Sequence, residues 1–220
     1  MGHHLPDMLS IADLRSEYTR ATLDVTSVLP DPIAQFEKWF GEAMKAEMPE
    51  VNAMNLATVS AGNKPSSRIV LLKGVEKGGF VFYSNYQSHK GKELDENPAC
   101  ALTFFWPQLE RQIRIEGVAE RVSEDQSIQY FQSRPRQSQV GAWSSPQSAV
   151  IADRKLLEQR VKEIEERFKG QTLLPKPKQW GGYRVDPFMI EFWQGRPSRL
   201  HDRIVYSKAD TAWKISRLAP

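Results

Sequence analysis

Three short clusters of basic and hydroxyl side chains have the composition of anion-binding sites. They are Arg68 with Lys73, Ser88 with His89 and Lys90, and Arg134 with Arg136 and Ser138. An arginine guanidinium matches phosphate oxygens in a bidentate manner, and lysine supplies a point charge. Each cluster taken alone is also explained by ordinary surface charges beside core strands. The clusters therefore predict a phosphate site only if the fold brings them together.

A further group near the C-terminus combines an aromatic ring with ionisable side chains. Trp193 precedes Arg199, His201 and Arg203, and alternation along a strand would place the last three on one face. Three cationic groups on one face repel one another unless an anion lies among them. In the alternative interpretation, Trp193 belongs to the core and the charged residues form a solvated strand end. The pattern alone leaves both interpretations open.

The chain lacks the glycine-rich motifs that hold phosphates with backbone amides. Its 13 glycines form neither G-x-G-x-x-G nor G-x-x-x-x-G-K-[ST], and G-x-S-x-G and H-E-x-x-H are also absent. A phosphorylated ligand would therefore have to be held by side chains. Cys100 is the only cysteine, and two of the four histidines, His3 and His4, lie near the N-terminus. We expect neither an internal disulfide nor a metal centre.

The composition indicates a globular protein. Of the 220 residues, 40% are hydrophobic and 26% are charged, which is typical of a folded chain. The 30 basic and 27 acidic side chains give a net charge of +3, which is too even for a dedicated nucleic-acid binder. No apolar run approaches the roughly 18 residues of a membrane span, and Asp7 and Asp13 interrupt any signal-peptide core. We expect a cytoplasmic protein that binds neither membranes nor nucleic acid.

Local start and stop signals predict helices. Asp31 and Pro32 begin one helix as N-cap and first helical residue. Its buried face is expected to carry Ile33, Phe36, Phe40 and Met44. Other helices are expected near residues 90–97, from Ser123 to about residue 133 and from Asp153 to Gly170, and Ser10 is a candidate cap for a short N-terminal helix.

Apolar runs between turn signals predict a series of β-strands. They cover residues 54–60, 68–75, 80–84, 99–106, 113–118, 183–185, 189–194, 203–206 and 213–217. We expect residues 99–106 to be buried, residues 113–118 to be half-exposed with Ile113, Ile115 and Val118 inward, and residues 173–179 to form a surface linker. The connections are too short for parallel crossovers. The predicted fold is mainly β (α+β), an antiparallel barrel with peripheral helices.

Six strings of the sequence resemble a known family. They are residues 68–73 (RIVLLK), 132–142 (QSRPRQSQVGA), 180–183 (WGGY), 191–195 (EFWQG), 199–203 (RLHDR) and 217–220 (RLAP). In order and spacing they are similar to the pyridoxine (pyridoxamine) 5′-phosphate oxidases of the FMN-binding split-barrel proteins. The similarity extends from about residue 31 to the C-terminus, and the first part matches only loosely around residues 14–18.

This resemblance implies a split β-barrel homodimer with an FMN in each of two sites at the subunit interface. Residues 31–220 would form one domain, whose C-terminal strands serve dimerisation and substrate binding. Residues 1–30 would form an N-terminal segment with partial disorder. The implied reaction oxidises pyridoxine or pyridoxamine 5′-phosphate to pyridoxal 5′-phosphate by hydride transfer to FMN. Dioxygen accepts the electrons and yields H2O2, in vitamin B6 biosynthesis and salvage.

The resemblance also assigns residues to FMN. Arg68 and Lys90 resemble ligands of its phosphate, with Tyr83 and Ser84 beside them. The residues that would run along the flavin are Ile69, Val70, Leu71, Leu72 and Lys73. The remaining contacts would be Gln112, Gln147, Ser148, Trp193 and Arg203. We expect Arg203 to stabilise negative charge on the reduced ring.

Other residues are assigned to the substrate by the same resemblance. Its phosphate would be held by Lys73, Tyr130, Arg134 and Ser138. Arg199 and His201, with Leu200 between them, would lie against the pyridine ring opposite the flavin. Because an arginine stays protonated, we expect Arg199 to orient the substrate and to stabilise charge. His201 would contribute a hydrogen bond or a proton transfer, so these two are the predicted catalytic residues.

His89 departs from the family pattern, which commonly has arginine between Ser88 and Lys90. A neutral imidazole would weaken one phosphate contact, whereas a protonated ring would largely keep it. We therefore expect the affinity for FMN to fall as the pH rises through the titration of His89.

Two other functions fit the sequence less well. A split-barrel flavoprotein acting on another substrate, such as the related enzymes of phenazine biosynthesis, would keep the fold without the match at residues 134–138 and 199–201. A protein that binds FMN or pyridoxal phosphate without catalysis is the second alternative. Residues 15–18 are candidates for a second, non-catalytic product site of the kind that some family members have.

Overall fold

The computed structural model describes residues 17–210 and 212–220. The strands within these residues are β1 (Ala53–Val59), β2 (Pro65–Leu71), β3 (Gly74–Glu76), β4 (Gly79–Asn85), β5 (Ala99–Trp106), β6 (Arg111–Arg121), β7 (Trp180–Gln194), β8 (Asp202–Ala209) and β9 (Ala212–Leu218). The helices are α1 (Pro32–Lys45), α2 (His89–Glu96), α3 (Glu124–Ser133), α4 (Arg136–Ser144) and α5 (Arg154–Arg167). None of these helices has the length and apolar character needed to cross a bilayer.

All paired strands are antiparallel and join in one curled sheet with the order β2-β1-β5-β6-β7-β4-β3. The long strand β7 has β6 along one edge and two different partners along the other. Residues 180–185 of β7 pair with β4, whereas residues 189–194 pair with β8, which in turn pairs with β9. The sheet therefore divides at β7 into two branches. This arrangement confirms the predicted mainly β fold, an antiparallel sheet with helices packed around it.

β7 is continuous, although the sequence predicts two separate strands at residues 183–185 and 189–194. The prediction breaks at Pro187, which has no N–H to donate to a neighbouring strand. The register with β6 shifts opposite Gly117, which leaves Phe188 as an extra residue of β7. Such a bulge tolerates a proline within a sheet. Gly117 fits this position because a Cβ here would lie 2.4 Å from the Asp186 carbonyl oxygen.

The predicted strand over residues 68–75 is two strands, β2 and β3, because the chain changes partners between them. The Leu72 N–H donates to the Asn52 carbonyl before β1 at 2.8 Å, and the Lys73 N–H donates to the Val81 carbonyl of β4 at 2.8 Å. The Leu72 side chain is buried in the core. This crossing brings the end of β2 to β4, where the candidate site lies.

α1 packs on the inner face of the sheet. Its predicted N-cap forms, since the Asp31 carboxylate accepts the Ile33 amide at 3.1 Å. Phe36 and Trp39 are buried in the main core. Met44, predicted on the same face, is 55% exposed because the buried stripe of the helix passes through residue 43 instead.

β5 and β6 alternate between a core face and an outer face. Phe105 is 54% exposed, so β5 is not the fully buried strand that its apolar composition predicts. In β6, Ile113 and Ile115 are buried as expected, but Val118 is 44% exposed. The period of two along a strand places residues 117 and 119 on the core face instead.

A second, smaller core lies beneath α3, α4 and α5. The sequence predicts two helices in this region and misses α4. Pro135 follows the end of α3, as predicted, but it is also the N-cap residue of α4. The buried residues of this core are Phe131, Val140, Phe168, Leu174 and Trp180. The predicted surface linker at residues 173–179 is therefore partly buried, with Leu174 at 0% exposure.

Residues 17–30 run along the C-terminal strands. Leu23 is buried in the main core, and its amide donates to the Asp202 carboxylate at 3.0 Å. The Tyr206 hydroxyl donates to the Leu29 carbonyl at 2.6 Å. These contacts fix the described part of the N-terminal segment. The predicted helix at Ser10 and the loose similarity at residues 14–16 lie outside the described residues.

Candidate functional site

A cavity of about 620 Å³ opens between β2, β4 and the helices α3 and α4. Its wall combines members of the three predicted anion-binding clusters with apolar and aromatic side chains. The lining residues are Ile69, Val70, Leu71, Lys73, Tyr83, Ser84, Asn85, Lys90, Tyr130, Arg134, Pro135, Ser138, Gly141, Ala142, Ser145, Gln147 and Trp180. The fold thus brings together Lys73, Lys90 and Arg134, which are distant in sequence.

One part of the wall is built around the buried Lys90 amine. Lys90 lies in the first turn of α2, which is capped by Ser88. Its Nζ is 3.1 Å from Ser84 Oγ and 3.4 Å from Gln147 Oε1. Burial, together with the nearby charge of Arg68, lowers the pKa of Lys90. A buried ammonium with neutral oxygen partners is better stabilised by a ligand that carries negative charge.

Arg68 lies behind this wall and does not line the cavity. Its guanidinium donates to two hydroxyl groups and to the Glu93 carboxylate, at 3.2 Å for the last contact. His89 Nε2 is 3.1 Å from the other oxygen of the same carboxylate, and its imidazole is 66% exposed. The structure therefore gathers Arg68 and His89 around one buried carboxylate beside Lys90.

β2 presents part of the predicted flavin-contact run to the cavity. Ile69, Val70 and Leu71 line it, and Ile69 is 63% exposed. The resemblance also places Leu72 along the flavin, but the Leu72 side chain is 6% exposed and lies in the core. Leu72 therefore does not line the cavity, although its neighbours Leu71 and Lys73 do.

A stack of three aromatic rings supports Arg134 on another part of the wall. The ring centres of Tyr83 and Tyr130 are 3.8 Å apart, and those of Tyr83 and Trp180 are 5.4 Å apart. The Arg134 guanidinium lies 4.7 Å from the centre of the Trp180 ring. Arg134 Nη1 is buried and has no hydrogen-bond partner within the described residues, and burial lowers the pKa of the side chain. This orphaned cationic donor suits a phosphate oxygen.

The charge of the cavity is one-sided. Lys73, Lys90 and Arg134 are cationic, and no aspartate or glutamate is among the lining residues within the part of the chain that the structure describes. Clefts lined by one sign of charge concentrate ligands of the opposite sign. The residues present therefore fit a ligand set with more than one negatively charged group, and two phosphate monoesters meet this requirement.

Three more of the predicted flavin contacts form a row across neighbouring strands. Gln112 of β6 pairs with Trp193 of β7, which pairs with Arg203 of β8. Arg203 donates through Nε and Nη2 to the Glu191 carboxylate, at 2.7 and 3.1 Å. Glu191 is 2% exposed. The same carboxylate also accepts Arg114 Nη1 at 2.9 Å, so its charge offsets only part of the charge of Arg203.

Arg199, Leu200 and His201 lie outside the strands. Residues 197–199 form one 3-10 turn and β8 begins only at residue 202. The predicted alternation of residues 199, 201 and 203 on one strand face is therefore wrong. Arg199 has a φ of 60°, a left-handed conformation that turns the chain sharply. The turn leaves the side chains of Arg199 and Leu200 exposed.

The imidazole of His201 is held by one amide and two aromatic rings. Nδ1 accepts the Arg196 N–H at 3.1 Å, so the neutral ring carries its proton on Nε2. The ring centre lies 4.6 Å from that of Trp193 and 5.8 Å from that of Tyr18. Burial and, to a smaller extent, the charge of Arg199 lower the pKa of His201. The neutral form therefore predominates at neutral pH.

The sequence-predicted residues fall into two groups within one protomer. The first group lines or adjoins the cavity and includes Gln147, whereas its neighbour Ser148 does not line the cavity. The second group does not contribute to the cavity wall and comprises Gln112, Trp193, Arg199, Leu200, His201 and Arg203. Of the sequence-predicted residues, the cavity wall of one protomer therefore contains members of the first group alone.

Two further residues near the site, Glu93 and Trp180, are not among the residues predicted from the sequence. Glu93 stands four residues after His89, the spacing of neighbours on one helix face. Trp180 stands in one of the strings that carry the resemblance, but its stack with Tyr83 depends on tertiary structure. Tyr18, which lies in the stretch predicted for a second product site, contacts His201 and Trp193, and no periodicity in the N-terminal segment indicates this contact.

Two family models match the chain. One, described as pyridoxamine 5′-phosphate oxidase, covers residues 40–168. The other, described as the pyridoxine 5′-phosphate oxidase C-terminal dimerisation region, covers residues 180–220. The first contains the cavity residues other than Trp180, and the second contains Trp180 and the Trp193 to Arg203 group.

Curated relatives are similar along nearly the whole chain. A pyridoxine/pyridoxamine 5′-phosphate oxidase of Burkholderia thailandensis is 56% identical over 216 residues, which is 97% of this chain and 100% of the relative. Proteins of the same name from Burkholderia mallei and Burkholderia pseudomallei give the same identity and coverage.

Solved structures share the fold. PhzG from Burkholderia lata, in complex with tetrahydrophenazine-1-carboxylic acid, aligns with a TM-score of 0.83 at 28% identity, over 89% of this chain and 95% of that chain. A pyridoxamine 5′-phosphate oxidase-related, FMN binding protein from Nostoc punctiforme aligns with a TM-score of 0.68 at 16% identity, over 84% and 97% of the two chains. The second likeness is one of fold alone.

Proposed function

The chain belongs to the pyridoxamine 5′-phosphate oxidase family, and on this basis we propose that it oxidises pyridoxine or pyridoxamine 5′-phosphate to pyridoxal 5′-phosphate with FMN as cofactor. Dioxygen is the electron acceptor and H2O2 the second product, and with the amine substrate one water is consumed and ammonia is released. The observation that carries the proposal is the cavity that Lys73, Lys90 and Arg134 line together. Among the residues that the structure describes, no aspartate or glutamate lines it. Both the cofactor and the substrate are phosphate monoesters. Because both are small polar metabolites, we also propose a cytoplasmic location.

The Lys90 part of the wall would hold the FMN phosphate. Lys90 and Ser84 face the cavity, and Arg68 stands behind them. Ile69 and Leu71 supply the exposed apolar surface for the flat ring. Bound FMN would accept a hydride from the substrate and pass the electrons to O2.

The Arg134 part of the wall would hold the substrate phosphate, with Lys73, Tyr130 and Ser138. The Trp180 ring supports the Arg134 guanidinium, so little side-chain freedom is lost when a phosphate binds. A clamp at the phosphate orients the substrate ring, which turns a chance encounter into a positioned reaction. Because Arg134 is half-buried, each of these contacts is stronger than it would be in bulk water.

His201 and Arg199 would act on the substrate ring. Since His201 Nδ1 accepts the Arg196 amide, the free Nε2–H is a donor. We therefore assign His201 the donation of a hydrogen bond to the substrate, in preference to abstraction of a proton. Arg199, which stays protonated, would orient the substrate and stabilise the negative charge left on its reacting group when that group loses its proton, before the hydride is transferred.

The complete site would form between two protomers. The C-terminal dimerisation region supports a homodimer. Within one protomer, neither Arg199 nor His201 lines the cavity. We propose that the turn at residues 197–201 of one protomer closes the cavity of the other, so that each dimer holds two sites.

A turnover assay on purified protein supplied with FMN tests the proposal. With pyridoxine 5′-phosphate and O2, we expect pyridoxal 5′-phosphate and H2O2 to form in equal amounts. Unphosphorylated pyridoxine is the control, and its KM should be far higher because Arg134 has no phosphate to bind. A protein that binds FMN but converts neither vitamin phosphate would contradict the proposal.

The likeness to PhzG supports one second candidate, the oxidation of a reduced tricyclic carboxylic acid. The same assay with a dihydrophenazine carboxylic acid separates the two candidates. We expect turnover of the vitamin phosphate and none of the tricyclic acid, since the identity to PhzG is 28% and that to the named oxidases is 56%.

A further inference from the structure

Glu93 is a buried carboxylate behind the phosphate-binding wall. It lies on α2, one turn after His89, and is 3% exposed. The Thr58 hydroxyl donates to Oε2 at 2.6 Å, and the Ser66 hydroxyl donates to Oε1 and Oε2 at 2.9 and 2.7 Å. Arg68 Nη2 lies 3.2 Å from Oε2, and His89 Nε2 lies 3.1 Å from Oε1. Glu93 thus contacts two of the basic residues expected near the FMN phosphate.

The surroundings keep this carboxylate ionised at neutral pH. Burial alone would raise the pKa of Glu93, but hydrogen bonds from Thr58 and Ser66, with His89 and Arg68 close by, hold it below its ordinary value. The charged and titratable groups that face it are Arg68 from β2 and His89 from α2, and Lys90 adjoins Arg68. A buried charge without partners is costly, so Glu93 and Arg68 depend on each other.

We propose that Glu93 is a positioning residue of the FMN-phosphate site, because its carboxylate holds Arg68 and His89 behind the wall next to Lys90, so that the charge of Arg68 adds to the attraction that Lys90 exerts on the phosphate. The inference rests on the proposed function, since it requires FMN to bind with its phosphate at this wall. According to this proposal, the negatively charged Glu93 strengthens the binding of the negatively charged FMN phosphate.

Two effects of Glu93 on a bound phosphate oppose each other. Its charge repels the phosphate, but Arg68, at hydrogen-bond distance, neutralises it. Without Glu93, the acceptors of the Arg68 guanidinium would be the Leu56 carbonyl and two hydroxyl groups. These are neutral, and a bond to a charged acceptor is about twice as strong as one to a neutral acceptor. Positioning therefore predicts weaker FMN binding when the charge is removed, whereas repulsion predicts tighter binding.

The substitution Glu93→Gln keeps the size of the side chain and removes its charge. We expect the Kd of the apo-protein for FMN, measured by titration of flavin fluorescence, to rise about tenfold, which corresponds to one charge-assisted hydrogen bond. Glu93→Asp keeps the charge at a greater distance from Arg68 and should give an intermediate Kd. Glu96→Gln is the matched control on the same helix, because Glu96 is exposed and accepts the Ala61 amide. Its Kd should equal that of the wild type.

A double-mutant cycle separates positioning from a merely structural role. If Glu93 acts through Arg68 and His89, then Glu93→Gln should raise the Kd for FMN by a smaller factor in a His89→Gln protein than in the wild type. The unfolding temperature of each apo-protein shows whether the variant is folded.

Each other outcome overturns the inference. Tighter FMN binding by Glu93→Gln would leave only repulsion, and an unchanged Kd with a lowered unfolding temperature would leave only a structural role. If Glu93→Gln does not fold, Glu93→Asp gives the decisive comparison, and a wild-type Kd for that variant would refute positioning. The proposed function fails separately, through wild-type protein that binds no FMN or shows no turnover.

Discussion

Arg134 has a buried hydrogen-bond donor that a bound ligand could satisfy. One of its nitrogens is buried without a partner in the described part of the protein, while the guanidinium rests on Trp180. We expect Arg134→Ala to raise the KM for pyridoxine 5′-phosphate about 10- to 100-fold, the range of one lost charged hydrogen bond. The Kd for FMN should change little. Steady-state kinetics measure the KM, and flavin titration measures the Kd. The KM of Arg134→Lys should lie between those of the wild type and Arg134→Ala. An unchanged KM in Arg134→Ala would show that Arg134 does not bind the substrate.

His201 should determine how activity depends on acidity. Protonation would place a hydrogen on Nδ1, which now accepts the Arg196 N–H, and would break the contact that orients the ring. Burial first, and Arg199 second, lower the pKa of His201. Activity should therefore persist below the usual titration range of histidine and be lost as the pH falls through the lowered pKa.

The variant Arg199→Ala removes one of the two causes of this shift, so the acidic limb of its residual activity should move to higher pH. Profiles of kcat against pH for both proteins provide the measurement. An acidic limb at the same pH in both would show that another group controls it.

Residue types alone pointed to several parts of the site. Lys73, Lys90, Arg134 and Ser138 were chosen from the sequence, and the structure places all of them on one cavity wall. Glu93 and the partner of Arg203, Glu191, were not chosen, because an acidic residue in a strand or helix pattern gives no sign that it is buried. Their burial depends on arginines supplied by other strands.

Among the elements, the bulge in β7 is the feature with the clearest energetic consequence. A Cβ on Gly117 would lie 2.4 Å from the Asp186 carbonyl oxygen, whereas a Cβ on Gly41 in α1 would meet nothing within 4 Å. We expect Gly117→Ala to lower the free energy of unfolding by about 1–3 kcal/mol. Gly41→Ala, the matched control, should raise it by about 0.5–1 kcal/mol. Denaturant unfolding of both variants is the measurement. If Gly117→Ala is as stable as the wild type, the bulge accommodates a Cβ without an energetic cost.

Local signals predicted the helix starts well, and long-range pairing explains the errors. The side chains of Asp31, Ser123 and Asp153 each accept a backbone amide at the start of a helix, as their types predict. The break after Leu72 could not be seen in advance, because it reflects a change of partner from β1 to β4. The continuity of β7 through Pro187 likewise depends on the register with β6.

For the whole molecule, shared sites predict complementation between two variants that are each nearly inactive when the concentration of pyridoxine 5′-phosphate does not exceed the wild-type KM. If the cavity of one protomer is completed by Arg199 of the other, then Arg134→Ala and Arg199→Ala chains in one dimer leave one site intact and put both changes in the second. Random mixing of equal amounts should restore about a quarter of wild-type activity, since half of the dimers are mixed and each has one working site. The mixture is prepared by unfolding and refolding the two variants together.

The control is the same mixture without unfolding, in which chains do not exchange and activity should stay low. Failure of the refolded mixture to regain activity, with wild-type protein recovering fully under the same treatment, would show that Arg199 serves the cavity of its own chain. The dimerisation region at residues 180–220 would then have a role separate from catalysis.

The one-sided charge of the cavity wall has a consequence for how the protein matures. Before FMN binds, Lys73, Lys90 and Arg134 attract any abundant cellular phosphate, including inorganic phosphate and nucleotides. In a newly synthesised chain, these anions would therefore compete with FMN for the cavity. The fraction of the oxidase that carries FMN in the cell would then depend on the ratio of flavin to these competing anions. Starvation for riboflavin would leave inactive protein with inorganic phosphate or a nucleotide in the cavity.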